Sequence, residues 1–169
     1  MEIRKVMLKY TDTKIVFQEI PDEITLAINI SGCPVRCPDC HSKYLWEDIG
    51  ESLDRDSLHS LIENNKGITC LAFMGGDANV PYLQTLIYWV KTRHPELKIA
   101  WYSGEDRLLK SSDIKYLDYI KLGPFIKDKG PLNSKTTNQR IYKICHDGTR
   151  SMIHNDICGI EDITSKFWK

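Results

Sequence analysis

The chain of 169 residues has no excess of either charge: 23 basic residues stand against 23 acidic ones. Without a net field there is no general electrostatic footprint for DNA or RNA, so nucleic acid is not expected as a partner. Long hydrophobic runs are also missing. The longest, Thr25–Ile30 and Leu86–Val90, fall far short of a membrane span, and Met1-Glu2-Ile3-Arg4-Lys5 opens no apolar signal core. The expectation is a cytoplasmic protein that does not enter a membrane. No internal repeat, low-complexity tract or Gly/Ser linker divides the chain. This length is expected to form a single domain, 1–169, with a core of about 24–144 and a C-terminal extension of 145–169.

Apolar residues at 41% are enough for an ordinary core, and their spacing alternates between two periods. Val6, Leu8 and Tyr10, then Ile15 and Phe17, suggest a hairpin or two short strands broken at Thr11-Asp12-Thr13. Ile24–Ile30 is a continuous apolar and β-branched run, the pattern of a strand buried on both faces. A helix over Leu53–Glu63, capped by Asp54, comes next, and then a strand over Gly67–Phe73. Val80–Arg93 has Leu83, Leu86, Ile87 and Val90 at helical spacing with Pro81 in the first turn, and His94-Pro95 stops it. Lys98–Tyr102 and Tyr119–Leu122 read as two more strands, with helical turns expected at Glu105–Lys110 and Asp113–Leu117. Strands that alternate with helices imply an α/β fold with a parallel sheet, either open or part of a (β/α) barrel. In both, the chemistry gathers at the carboxyl ends of the strands. After those strands come a cysteine loop, Met74-Gly75-Gly76-Asp77, Ser103-Gly104-Glu105-Asp106 and Gly123-Pro124-Phe125.

Three of the six cysteines, Cys33, Cys37 and Cys40, fall within one short loop that also holds Pro34 and Pro38. Unligated cysteines rarely crowd in this way. A structural zinc would need His41 to complete a Cys3His set, and no second ligand pair at finger-like spacing follows. An iron–sulfur cluster held by three local cysteines would keep one iron open, where clusters that only carry electrons normally use four. Cys70 reads as a buried strand residue. Cys145 and Cys158, with His146 or His154, match no standard metal spacing. Asn138-Gln139-Arg140 reads either as a strand start or as a substrate-orienting triplet, and Asp162, Ile163, Phe167 and Trp168 as a closing element or a partner contact.

The C-x3-C-x2-C spacing resembles that of the radical S-adenosylmethionine (SAM) superfamily. More narrowly, the chain is similar to the activating proteins of anaerobic (class III) ribonucleoside-triphosphate reductases. The residues that carry the likeness are Ile30-Ser31-Gly32-Cys33, Cys37-Pro38-Asp39-Cys40-His41-Ser42-Lys43 with Trp46, Gly75-Gly76-Asp77, Trp101-Tyr102-Ser103-Gly104, Gly123-Pro124-Phe125-Ile126 and Thr137-Asn138-Gln139-Arg140. The chain departs from the usual pattern at Met74 (commonly Ser), Ala78 (commonly Pro) and Asp39 (often Gly).

The resemblance implies a small incomplete (β/α) barrel of mostly parallel strands, of radical SAM type. It implies a 4Fe–4S cluster on Cys33, Cys37 and Cys40, with SAM on the fourth iron. Asp39 and His41 would lie against the cofactor, Gly75 and Gly76 would admit its amino group, Asp77 would stabilise the turn or accept from that amino group, and Ser103 would lie near the ribose or methionine portion. An external electron donor such as flavodoxin or ferredoxin would reduce the cluster, and SAM would be cleaved to methionine and a 5′-deoxyadenosyl radical. The radical would take hydrogen from a glycine of the reductase, with no catalytic side chain needed beyond the cluster and SAM. Two alternatives stand beside this: another small radical SAM enzyme, such as a relative of 7-carboxy-7-deazaguanine synthase, or a non-catalytic Cys3His zinc protein.

Overall fold

The structure, a computed structural model, describes residues 7–107, 109–147 and 157–169. Four strands form its centre: β2 (Thr25–Ile30), β4 (Cys70–Met74), β5 (Lys98–Tyr102) and β6 (Tyr119–Leu122). They pair in chain order and in parallel, so that Ile28, Phe73, Trp101 and Ile120 form one row across the sheet. All four are 0% exposed. The neighbouring row runs Ala27, Ala72, Ala100 and Tyr119 and points to the other face.

This division of size decides how the sheet is covered. The large side chains pack with Leu58 and Ile62 of helix α1 (Arg55–Asn64) and with Leu83, Leu86, Ile87 and Val90 of helix α2 (Val80–Arg93) in one core cluster. The small face is filled by a separate cluster, in which Ile20 and Ile163 join Cys70, Ala72 and Ala100. Helix α1 starts at a capping box in which Asp54 accepts from the Ser57 amide at 2.9 Å and the Ser57 hydroxyl accepts from the Asp54 amide at 2.9 Å. Helix α2 starts at Asn79, which accepts from the Tyr82 amide at 3.2 Å. Among the described residues no helix is long and apolar enough to cross a membrane.

The flanks are antiparallel. β1 (Lys9–Val16) lies beside β2, with the two-residue β3 (Glu51–Ser52) beyond it. β7 (Arg140–His146) and β8 (Ile157–Asp162) follow β6 on the other side, giving the order β3-β1-β2-β4-β5-β6-β7-β8. Three of the seven pairings are thus parallel and four antiparallel. Segments 17–24 and 123–139 carry no α-helix. Connections without a crossover helix return a strand antiparallel to its neighbour, which accounts for the pairing of β1 with β2 and of β6 with β7. The line between core and extension at 144–145 falls inside β7.

Two local expectations are corrected. Thr11-Asp12-Thr13 is not a turn between two strands but part of continuous β1, with a register shift between Tyr10 and Asp12. The polar residues sit at this bulge and find partners there: Asp12 accepts from Asn29 Nδ2 at 2.8 Å. The helix expected at Glu105–Lys110 is absent among the described residues of that segment. Arg107 of that segment pairs instead with Asp77 and Glu105, and the helical turn that follows is α3 (Ser111–Ile114).

Candidate iron–sulfur site

The loop after β2 is closed at its neck by two backbone bonds, Gly32 N–H to Glu47 O at 3.0 Å and Cys33 N–H to Leu45 O at 2.9 Å. Between these ties the chain makes a tight turn, with Cys40 N–H donating to Cys37 O at 3.0 Å. Arg36 takes a positive φ of 49°. Pro34 and Pro38 keep the segment from continuing as a helix. The loop therefore presents three thiols to one side of the sheet's end without a core of its own. The Ser42 amide donates to Cys40 Sγ at 3.3 Å.

Cys33, Cys37 and Cys40 all line one cavity of about 190 Å³. Its wall is made by the ends of the parallel strands: Ile30 from β2, Met74 and Gly75 from β4, Tyr102 and Ser103 from β5, Lys121 from β6. Asp77 lines it too, and its side chain is 1% exposed. One Asp77 oxygen accepts from Ser103 Oγ at 2.5 Å and from an Arg107 Nη at 3.0 Å; the other accepts from Gly104 N–H at 2.9 Å. This carboxylate ties the loop after β4 to the loop after β5. The Arg107 guanidinium lies 5.0 Å from the centre of the Trp101 ring, and Trp101 Nε1 donates to Gly75 O at 2.9 Å.

Gly75 and Gly76 have φ of 108° and 98°, which L-residues rarely adopt. A Cβ at Gly76 would meet Leu83 Cδ2 of α2 at 2.8 Å. The fold therefore requires glycine at Gly76 before any ligand is considered. Gly75 alone of the pair lines the cavity.

The structure brings Cys33, Cys37, Cys40, Gly75, Asp77 and Ser103 to one cavity. It does not bring Asp39, which is exposed, or His41, whose ring packs edge-on against Phe125 at 5.0 Å and lines a larger outer groove. Two residues were not singled out from the sequence: Arg107, which holds Asp77 from outside the cavity, and Lys121, which lines its wall. Arg107 belongs to the segment read there as a helix. Lys121 was legible as a lysine inside an otherwise apolar strand. Burial pushes its amine down to about 8, while the charges of Cys37 and Asp77 pull it back up. Burial likewise raises the Tyr102 phenol, whose hydroxyl donates to Glu19 O.

The remaining cysteines lie elsewhere. Cys70 is 0% exposed in β4, and burial pushes its thiol up to about 12. Cys145 and Cys158 sit on β7 and β8. His146 Nε2 is engaged with Leu117 O at 2.7 Å, and His154 lies outside the described residues. No group of three or more His, Cys, Asp or Glu that could hold a single metal ion occurs among the described residues. Three thiols around one cavity that Lys121 also lines, one of them accepting an amide bond, fit a multi-iron centre better than a mononuclear ion.

No curated protein and no solved structure gives a match to this chain. A family model does: residues 24–144 match the 4Fe-4S single cluster domain, from the start of β2 through most of β7. The matched stretch contains the three-thiol loop and every strand end that walls the cavity, and the chain belongs to the 4Fe-4S single cluster domain family of iron–sulfur proteins.

Proposed function

We propose that the chain is a radical SAM enzyme, an activase that generates a glycyl radical on an anaerobic ribonucleoside-triphosphate reductase. The observation that carries the reading is the three-thiol cavity. Cys33, Cys37 and Cys40 line it, and Cys70, Cys145 and Cys158 do not. Three thiolates would hold three irons of a 4Fe–4S cluster and leave the fourth open to the amino and carboxylate groups of SAM. When bound, the pair supplies reductive cleavage of the sulfonium and so a carbon radical able to take hydrogen from a peptide Cα.

The chain's own residues form and hold the chamber. Asp77, fixed by Arg107, Ser103 and the Gly104 amide, locks together the two loops against which a ligand would rest. The Trp101 indole fixes the Gly75 carbonyl from below. Ser103 Oγ donates to Asp77 and accepts from the Glu105 amide at 3.2 Å, so it acts as a strut of the wall. The parallel strands run in unreversed order with both long helices packed in one core cluster, which supports a barrel segment over a doubly wound sheet. We read the fold as an incomplete (β/α) barrel with antiparallel flanks, its open side able to admit a loop of another protein. A cytoplasmic setting and a low-potential donor such as flavodoxin or ferredoxin belong to the same reading.

The test is anaerobic. Protein loaded with iron and sulfide is mixed with reductant, SAM and a class III reductase. The expected results are methionine and 5′-deoxyadenosine as products and an EPR doublet from a glycyl radical. Cleavage of SAM without the doublet would point to a different substrate, and absence of any SAM cleavage would reject the reading.

A further inference from the structure

Lys121 is at odds with its position. It is half-buried in β6, on the face opposite to Ile120 and Leu122, and pairs in register with Tyr102 on β5 and Ile141 on β7. A desolvated ammonium is costly unless an anion attends it. Among the described residues no carboxylate comes within ion-pair distance of its Nζ, which lies over the Tyr102 ring, 5.5 Å from the centre. Asp77 acts on it from further away, but that carboxylate is already bound by Arg107, Ser103 and Gly104. Cys37, with Cys33 and Cys40, lines the same cavity as Lys121. The residue also stands at a partition: with Tyr102 and Gln139 it lines both the cysteine cavity and an outer groove of about 880 Å³.

We propose that Lys121 is the counter-cation of the iron–sulfur centre, offsetting thiolate charge at Cys37 and thereby raising the centre's reduction potential. The physical reason is electrostatic. Three thiolates already give the site negative character, and reduction adds one more electron in a partly desolvated cavity. A fixed positive charge nearby stabilises the more negative state more than the less negative one. The step is the uptake of one electron from an external low-potential one-electron donor; no bond is made or broken and no proton moves. Lys121 is a positioning residue here, acting through the centre and not on a substrate. The inference rests on the iron–sulfur centre alone and stands or falls independently of SAM or a protein partner.

The experiment is a redox titration of the loaded full chain without SAM, followed by visible bleaching and EPR. Lys121→Met keeps the length of the stem and removes the charge. Its centre is expected to be at least tenfold harder to reduce, about 59 mV for one electron. Lys121→Arg keeps the charge and should remain near wild type. Lys166→Met, on the wall of the outer groove, should leave the potential unchanged. The potential is read per loaded centre, so a lower yield does not hide it. A wild-type potential in Lys121→Met overturns the proposal, as does an equal fall in Lys121→Arg, which would show that shape and not charge matters. Should Lys121→Met not load, Lys121→Gln is read in the same way. If neither neutral variant loads, retained loading by Lys121→Arg supports the proposal and its loss overturns it.

Discussion

The Asp77 carboxylate is enclosed by its own protein, with a hydroxyl, an amide and a guanidinium as donors and 1% of the side chain exposed. That makes it a clamp between two loops before it is a ligand contact. Asp77→Ala removes one half of a largely buried ion pair and leaves Arg107 with only the half-exposed Glu105 carboxylate, at 2.6 Å. A loss on the order of 3 kcal/mol in the cluster-free protein is expected, read as a lower urea midpoint. A loss under about 1 kcal/mol would mean that the clamp does not hold the loops. Cys70 makes a pH-dependent case. Its thiol is raised from 9.0 to about 12 by burial, so the folded state keeps the proton that the unfolded chain releases. Stability from this group is intact below pH 9.0 and declines as pH rises toward about 12, by roughly 1.4 kcal/mol per pH unit. Cys70→Ala has no such proton to lose. At neutral pH it should cost about 1 kcal/mol for lost packing. Near pH ~10.5 the deficit should vanish or reverse, because roughly 2 kcal/mol of the wild type's stability is gone there. A gap between the two proteins that stays constant with pH would contradict this.

At the scale of elements, legibility followed local rules where those rules were sufficient. Helix α2 begins and ends where Pro81 and His94-Pro95 place it, and β5 and β6 coincide with their apolar runs. Helix α1 begins at the cap that Asp54 announces, although its body runs one residue further, to Asn64. Asp54→Ala breaks both halves of that capping box. It should lower stability by about 1 kcal/mol while the loaded protein keeps its visible spectrum, since α1 does not touch the cysteine cavity. A change in the spectrum would mean that the helix reaches the site through the sheet. What was not legible depended on distant partners. The polar triplet in β1 resembles a turn until Asn29 on β2 is seen to satisfy Asp12. Arg107 belonged to an apparent helix because the carboxylate that captures it is 30 residues earlier in the chain. The three thiols, the glycine pair and Ser103 were visible as motifs. The exposure of Asp39 and the turning of His41 toward Phe125 depend on how the loop folds back, which no spacing encodes.

For the molecule as a whole, the question is whether the metal centre makes the fold or the fold makes the site. Small metal-binding domains often fold only when loaded, because ligation replaces a core they lack. Here two core clusters flank one eight-stranded sheet, and none of Cys33, Cys37 and Cys40 belongs to either. The cysteine loop is tied to the sheet by backbone bonds at its neck, Gly32 to Glu47 and Cys33 to Leu45, which need no iron. The sheet therefore has a core that does not depend on the centre, and it presents the loop. Cys37→Ala should lose the centre, seen as loss of the visible absorption and of bound iron. Its far-UV circular dichroism and cooperative urea unfolding should match those of cluster-free wild type to within about 1 kcal/mol, the range of a partly exposed side chain outside the core. The loaded wild type should be more stable than both, because ligation adds to a state already folded. A cluster-free protein without cooperative unfolding would reverse this order of causes and make the iron centre part of the core.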